Sequence, residues 1–169
     1  MIVQEHRDLT GGSTGAAFSD DMRYRYRLWR IWDPSRPIVL FVMLNPSKAD
    51  GRVDDATIRR CRGFASSWGF GGFVVVNMFA LVSTDPAALA GHPDPVGSDN
   101  DAVILAEAAK AAEVVVAWGA NGEALRRAGA VAALVGRPLL CLGISKGGAP
   151  LHPLRLRADT ARVPWAPSP

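Results

Sequence analysis

Four short apolar runs constrain this chain more than anything else in it: "IVLFVML" from Ile38, "FVVVNMFAL" from Phe73, "VVVAW" from Val114 and "PLLCLG" from Pro138. Each is bounded by turn residues and lacks the alternation of a half-wet strand, so each reads as a strand buried on both faces. Between them lie helical patterns. Ile58, Cys61, Phe64, Ala65 and Trp68 recur at helical spacing after Asp54, Asp55 and Thr57, any of which can cap the helix. An alanine-rich helix follows Asp99 or Asn100, either able to cap it, and ends near Ala112; another runs from about Glu123 to Leu134. A short helix opens at "STDPAAL", with Pro86 in its first turn. Buried strands joined through helices require crossover connections. The expected fold is therefore α/β: a three-layer sandwich around a mostly parallel sheet of about four to five strands.

The rest of the chain attaches to that frame. Residues 1–21, with "TGGSTG", read as a loose entry segment. From Met22 to Trp32, Tyr24, Tyr26 and Leu28 alternate with Arg23, Arg25 and Arg27, which predicts a strand with one cationic, wet face. "DPSRP" then supplies turn chemistry, and this strand and the Ile38 run are expected to form a hairpin. Residues 158–169 read as a capping extension that frays at its end.

Composition sets the class. The 169 residues suit one domain, and 49% hydrophobic with 21% charged residues is ordinary for a soluble globular protein. No apolar stretch reaches the ~20 residues of a membrane helix, and the amino terminus, with Glu5, His6, Arg7 and Asp8, has no signal-peptide core. A cytoplasmic protein without a membrane partner is the expectation, and a monomer. Cys61 and Cys141 lack CxxC spacing and read as core thiols, so neither a metal nor a cofactor is expected. The net charge is only +3, so any affinity for nucleic acid must come from where the arginines sit.

In a parallel sheet the carboxyl ends of the strands form the ligand-binding rim. Asn45-Pro46 follows the first run, Asn77 cuts the second, Trp118-Gly119-Ala120-Asn121 closes the third, and Ser145, Lys146 and His152 follow the fourth. Singly, each has an ordinary structural reading: Asn-Pro as a turn, Trp118 as core, His152 as a loop residue. Their joint placement on one rim is what points to a site.

The order of the segments carries a resemblance. "MLNPSKAD", "NMFAL", "WGANG" and "HPL" resemble the motifs of a bacterial family of uncharacterised domains, over nearly the whole chain. That family is in turn distantly similar to the uracil-DNA glycosylase superfamily. The resemblance implies that the fold is of that type and that Asn45 stands at the water-activating position. It implies further that Asn77 reads the edge of an inserted base and His152 stabilises the departing base. Pro46, Asp54, Asp55 and Trp118 would line the base side. Lys48, Ser145, Lys146, Arg23, Arg25 and Arg27 would meet the phosphates of DNA, single- or double-stranded. The implied activity is hydrolysis of the N-glycosidic bond of a damaged or modified base, uracil-like or a phage-modified pyrimidine, in repair or defence. A non-catalytic nucleic-acid or nucleotide-binding module, or an N-glycosidase on free nucleotides, stand as alternatives. An amide orients water but takes no proton from it. "LHPL" also lacks the serine that follows His-Pro in many members, and no aromatic is clearly placed to stack on a base; Phe64, Trp68, Phe70 and Trp29 are the candidates.

Overall fold

The computed structural model describes residues 1–167. In chain order the elements are β1 (Ile2–Arg7), β2 (Ser13–Phe18), β3 (Arg25–Ile31), β4 (Ile38–Met43), α1 (Ala56–Ser67), β5 (Gly72–Asn77), α2 (Ala88–Gly91), α3 (Asn100–Lys110), β6 (Glu113–Val116), α4 (Gly122–Val135), β7 (Leu139–Cys141), a 3-10 turn at Pro153–Arg155, and β8 (Val163–Trp165). All strands join one sheet in the order β1-β2-β3-β5-β4-β6-β7-β8. The inner four, β5-β4-β6-β7, are the anticipated apolar runs and pair in parallel. Valine-rich β4, β5 and β6 are buried on both faces. Ile58, Cys61, Phe64 and Ala65 of α1 cover one side with Phe41, Phe73 and Val75. Ile104 and Ala108 of α3 and Ala124, Ala128 and Val131 of α4 cover the other with Leu40, Val74 and Val116.

The sheet departs from expectation in size and in direction. It has eight strands, and its β1–β2, β2–β3, β3–β5 and β7–β8 ladders are antiparallel, so antiparallel pairing outnumbers parallel. Residues 1–21 are not a loose segment: β1 and β2 form a hairpin that extends the sheet. Small residues hid β2, and they are there for a packing reason. A Cβ on Gly15 would lie 2.2 Å from the Trp29 ring, so the indole needs bare backbone beneath it. Tertiary pairing outweighs the weak strand propensity of "STGAAF".

β3 and β4 do not pair as a hairpin either. β5 inserts between them, antiparallel to β3 and parallel to β4. The insertion depends on the glycines that end "GFGG". Gly71 takes the N–H groups of Trp32 and Asp33 on its carbonyl and donates its own to Pro37, and a Cβ there would lie 2.0 Å from the Asp33 carbonyl oxygen. Only glycine lets the incoming strand approach this closely.

The remaining anchors are local. Asp55 is the residue that caps α1, its side chain accepting from Ile58 N–H at 2.9 Å. Asp99 stands at the start of α3 without a side-chain cap, and Asn100 turns inward instead. Cys61 and Cys141 are both buried free thiols, as expected. The tail does cap the sheet: β8 pairs with β7, and Trp165 packs edge-on against Trp118 with ring centroids 5.0 Å apart. The fraying expected at the very end falls on 168–169, outside the described residues. No helix among the described residues is long and apolar enough to cross a membrane.

Candidate functional site

Because β5, β4, β6 and β7 run in parallel, the residues that follow them share a rim. There Asn45, Asn77, Trp118 and His152 line one cavity of about 310 Å³ together with Arg25, Asp55 and Thr57. Its floor is apolar, made by Met43, Ile58 and Val75. Three sets of contacts build it.

Asn45 sits just beyond β4 with its amide fastened by the loop that follows β5. Its Nδ2 donates to the carbonyl of Ser83 at 2.9 Å and to that of Pro46 at 3.1 Å. The Pro46 carbonyl also takes Ser83 N–H at 2.9 Å. Thus the turn reading of Asn45 is correct for its amino half. The carbonyl half, Oδ1, accepts nothing among the described residues, and Asn45 is one of the residues that line the cavity. A side chain held by its donors presents its acceptor at little further entropic cost.

Asn77 ends β5 with 1% of its surface exposed, and its Nδ2 has no partner. Leaving such a donor unpaired costs about 1–3 kcal/mol. Asn100 holds the backbone around it, Nδ2 donating to the carbonyls of Asn77 at 2.9 Å and Met78 at 3.2 Å. Trp118 Nε1 is likewise buried without a partner. So is Nε of Arg25, whose Nη1 donates to the Ala49 carbonyl at 2.5 Å. Burial pulls the Arg25 pKa down to about 10, with Asp55 opposing the fall. Unpaired donors on three lining residues suit a ligand rich in acceptors.

His152 is placed by two motifs. Gly119, in the left-handed region at φ 78°, donates its N–H to the Pro150 carbonyl at 3.0 Å, and a Cβ on it would lie 3.6 Å from that of His152. From the other side, Arg60 Nε donates to the carbonyl of Pro153 at 3.3 Å and its Nη2 to that of Leu156 at 2.5 Å. The ring's Nδ1 accepts Leu154 N–H at 3.3 Å, so the neutral ring carries its proton on Nε2. Burial lowers the His152 pKa and outweighs the opposing charge of Asp55. The site therefore holds a neutral imidazole with one free N–H donor.

The other anticipated residues are elsewhere. Pro46 is buried beneath the turn. Asp54 faces away from the cavity, its Oδ1 taking Arg30 Nε at 2.8 Å. Ser145 closes its own loop, with Ala149 N–H donating to its Oγ at 3.1 Å, and Lys146 and Lys48 are exposed outside the cavity. The cationic face of β3 does not form. A register shift opposite Ala17 and Phe18 breaks the alternation, burying Arg25 at the cavity. Arg27 lies on the opposite face over Trp29, 2.9 Å from Glu107, and only Arg23 stays exposed. Phe64, Phe70 and Trp29 are core, and Trp68 stacks on Phe64, so the aromatic on the cavity wall is Trp118. Arg25, expected at the phosphates, instead lines the cavity. The signal was present, since an antiparallel β3 brings its first residue to the same rim. Ser47, Ser83 and Thr84 complete the polar wall and carry no pattern that singles them out.

A family model described as a protein of unknown function (DUF1643) matches residues 25–154. No curated protein and no solved structure matches the chain.

Proposed function

The chain belongs to the DUF1643 family of proteins of unknown function, and on that premise we propose that it is a DNA glycosylase, hydrolysing the N-glycosidic bond of a flipped-out uracil-like or modified base. The carrying observation is that one acceptor, Asn45 Oδ1, and donors on Asn77, Arg25 and His152 belong to residues that line a single cavity. At about 310 Å³ it is at the small end of ligand pockets, which span roughly 300–1,000 Å³. The order of its segments resembles that of the uracil-DNA glycosylase superfamily, which supports the same reading.

Bond cleavage leaves a cation-like sugar carbon and an anionic base. Asn45 Oδ1 holds the attacking water, and Pro46 fixes the backbone behind it. Asn77 bonds the edge of the base. His152 meets the developing charge through Nε2–H, and a preorganised donor of this kind contributes about 3–4 kcal/mol. The Arg25 guanidinium, on the wall of the same cavity and with Nε unpartnered, favours an anionic leaving group.

A second reading has one observation in its favour. The arginine face that would grip phosphates is absent, and an N-glycosidase acting on free nucleotides needs none. Oligonucleotides carrying uracil, hypoxanthine or hydroxymethylated pyrimidines, followed by alkaline cleavage, decide between them when run beside the matching mononucleotides. Alkali-labile strands support the glycosylase; base released from mononucleotides alone supports the second reading. Asn45→Ala and His152→Ala should each lower base release about 10²–10³-fold while DNA binding, read by fluorescence anisotropy, changes little. Release at the wild-type rate by either variant removes its assigned role.

A further inference from the structure

The proposed reaction lacks a proton acceptor. Asn45 can orient the water but cannot take its proton, and the Asn45 amide is committed through Nδ2 to the backbone. Asp55 is the only carboxylate among the residues lining the cavity. One of its oxygens, Oδ1, caps α1 through Ile58 N–H at 2.9 Å, while Oδ2 accepts nothing among the described residues. Neighbouring Asp54 is spent on Arg30 and Arg62. Cap and cavity wall thus meet in one side chain, on a helix that Arg60 clamps to the turn carrying His152.

We infer that Asp55 is the catalytic base of this site, taking the proton of the water that Asn45 orients. The inference rests on the glycosidase reading above and deepens it. As the water oxygen bonds to the anomeric carbon, the bond from that carbon to the base nitrogen breaks and its electron pair leaves with the base. The water proton passes to Asp55 Oδ2, and the charge on the base is met by His152 Nε2–H. Asp55 is opposite in charge to Arg25, which it helps to keep protonated against the effect of burial.

Asp55→Asn tests it, because Asn caps a helix as well as Asp does and the fold should survive. Single-turnover base release should fall about 10²–10⁴-fold, substrate binding should stay within about threefold, and the thermal melt should hold. Asp55→Ser, another good cap, should behave alike and regain part of its rate with added formate, which a purely structural role for Asp55 would not allow. Release by Asp55→Asn within about threefold of wild type, while Asn45→Ala is inactive, overturns the assignment of Asp55 and leaves the glycosidase reading standing. A wild-type protein that releases no base from oligonucleotide or mononucleotide overturns both.

Discussion

At the scale of single residues, His152 shows how a loop histidine becomes a defined donor. A backbone N–H occupies Nδ1, burial disfavours the charged ring, and what is left is one proton on Nε2. The sign of the pH effect follows. The pKa in the folded chain lies below the ordinary value of 6.5, so the unfolded chain binds the proton more tightly. The contribution of His152 to stability is intact above pH 6.5 and declines as the pH falls through the folded pKa. Urea midpoints measured from pH 7.5 down to 5 should fall more steeply for wild type than for His152→Gln. Asn45, by contrast, was legible in kind but not in division: "LNPS" announces a turn, and only the position of Ser83, far along the chain, shows which half of the amide is used. Arg25 departs from the expected wet face for a reason of backbone register. An arginine in a strand is usually exposed, and a single β-bulge was enough to bury this one.

At the scale of elements, the segment from Asp50 to Asp55 depends on β3 for its shape. Arg30 has 1% of its surface exposed; it pairs with Asp54 at 2.8 Å and donates to the carbonyls of Asp50 and Trp29, each at 2.8 Å. It therefore ties the approach to α1, and with it Asp55, to the sheet. Arg30→Ala takes from Asp54 the nearer of its two guanidinium partners and removes the donor that reaches the carbonyls of Asp50 and Trp29. It should cost about 3–5 kcal/mol by chemical denaturation or prevent folding outright. Asp54→Ala should cost less, because the guanidinium keeps its carbonyl acceptors. The helices were legible from spacing, since each must bury one stripe, and α1 and α4 lie where the periodicity puts them. The hairpin of β3 with β4 was not, because adjacency in sequence says nothing about a strand that arrives forty residues later and fits only through Gly71 and Gly72.

At the scale of the whole molecule, the family match spans residues 25–154, and β1, β2 and β8 lie outside it at the two edges of the sheet. They cover the edges of β3 and β7. Exposed edges invite pairing between chains, so a chain lacking residues 1–21 should associate, seen as early elution and raised light scattering in gel filtration, while the full chain should not. By itself the sequence determined the inner part of this protein: runs of β-branched residues must be buried on both faces, periodic stripes must cover them, and crossovers then place Asn45, Asn77, Trp118 and His152 on one rim. The tertiary structure decided the rest, namely the order of strands, the edge hairpin, the burial of Arg25 and the choice of Asp55 over Asp54 as the carboxylate of the cavity. Each of these turns on a close approach between distant segments, through a bare glycine or a shared hydrogen bond, and such an approach leaves no periodic trace along the chain.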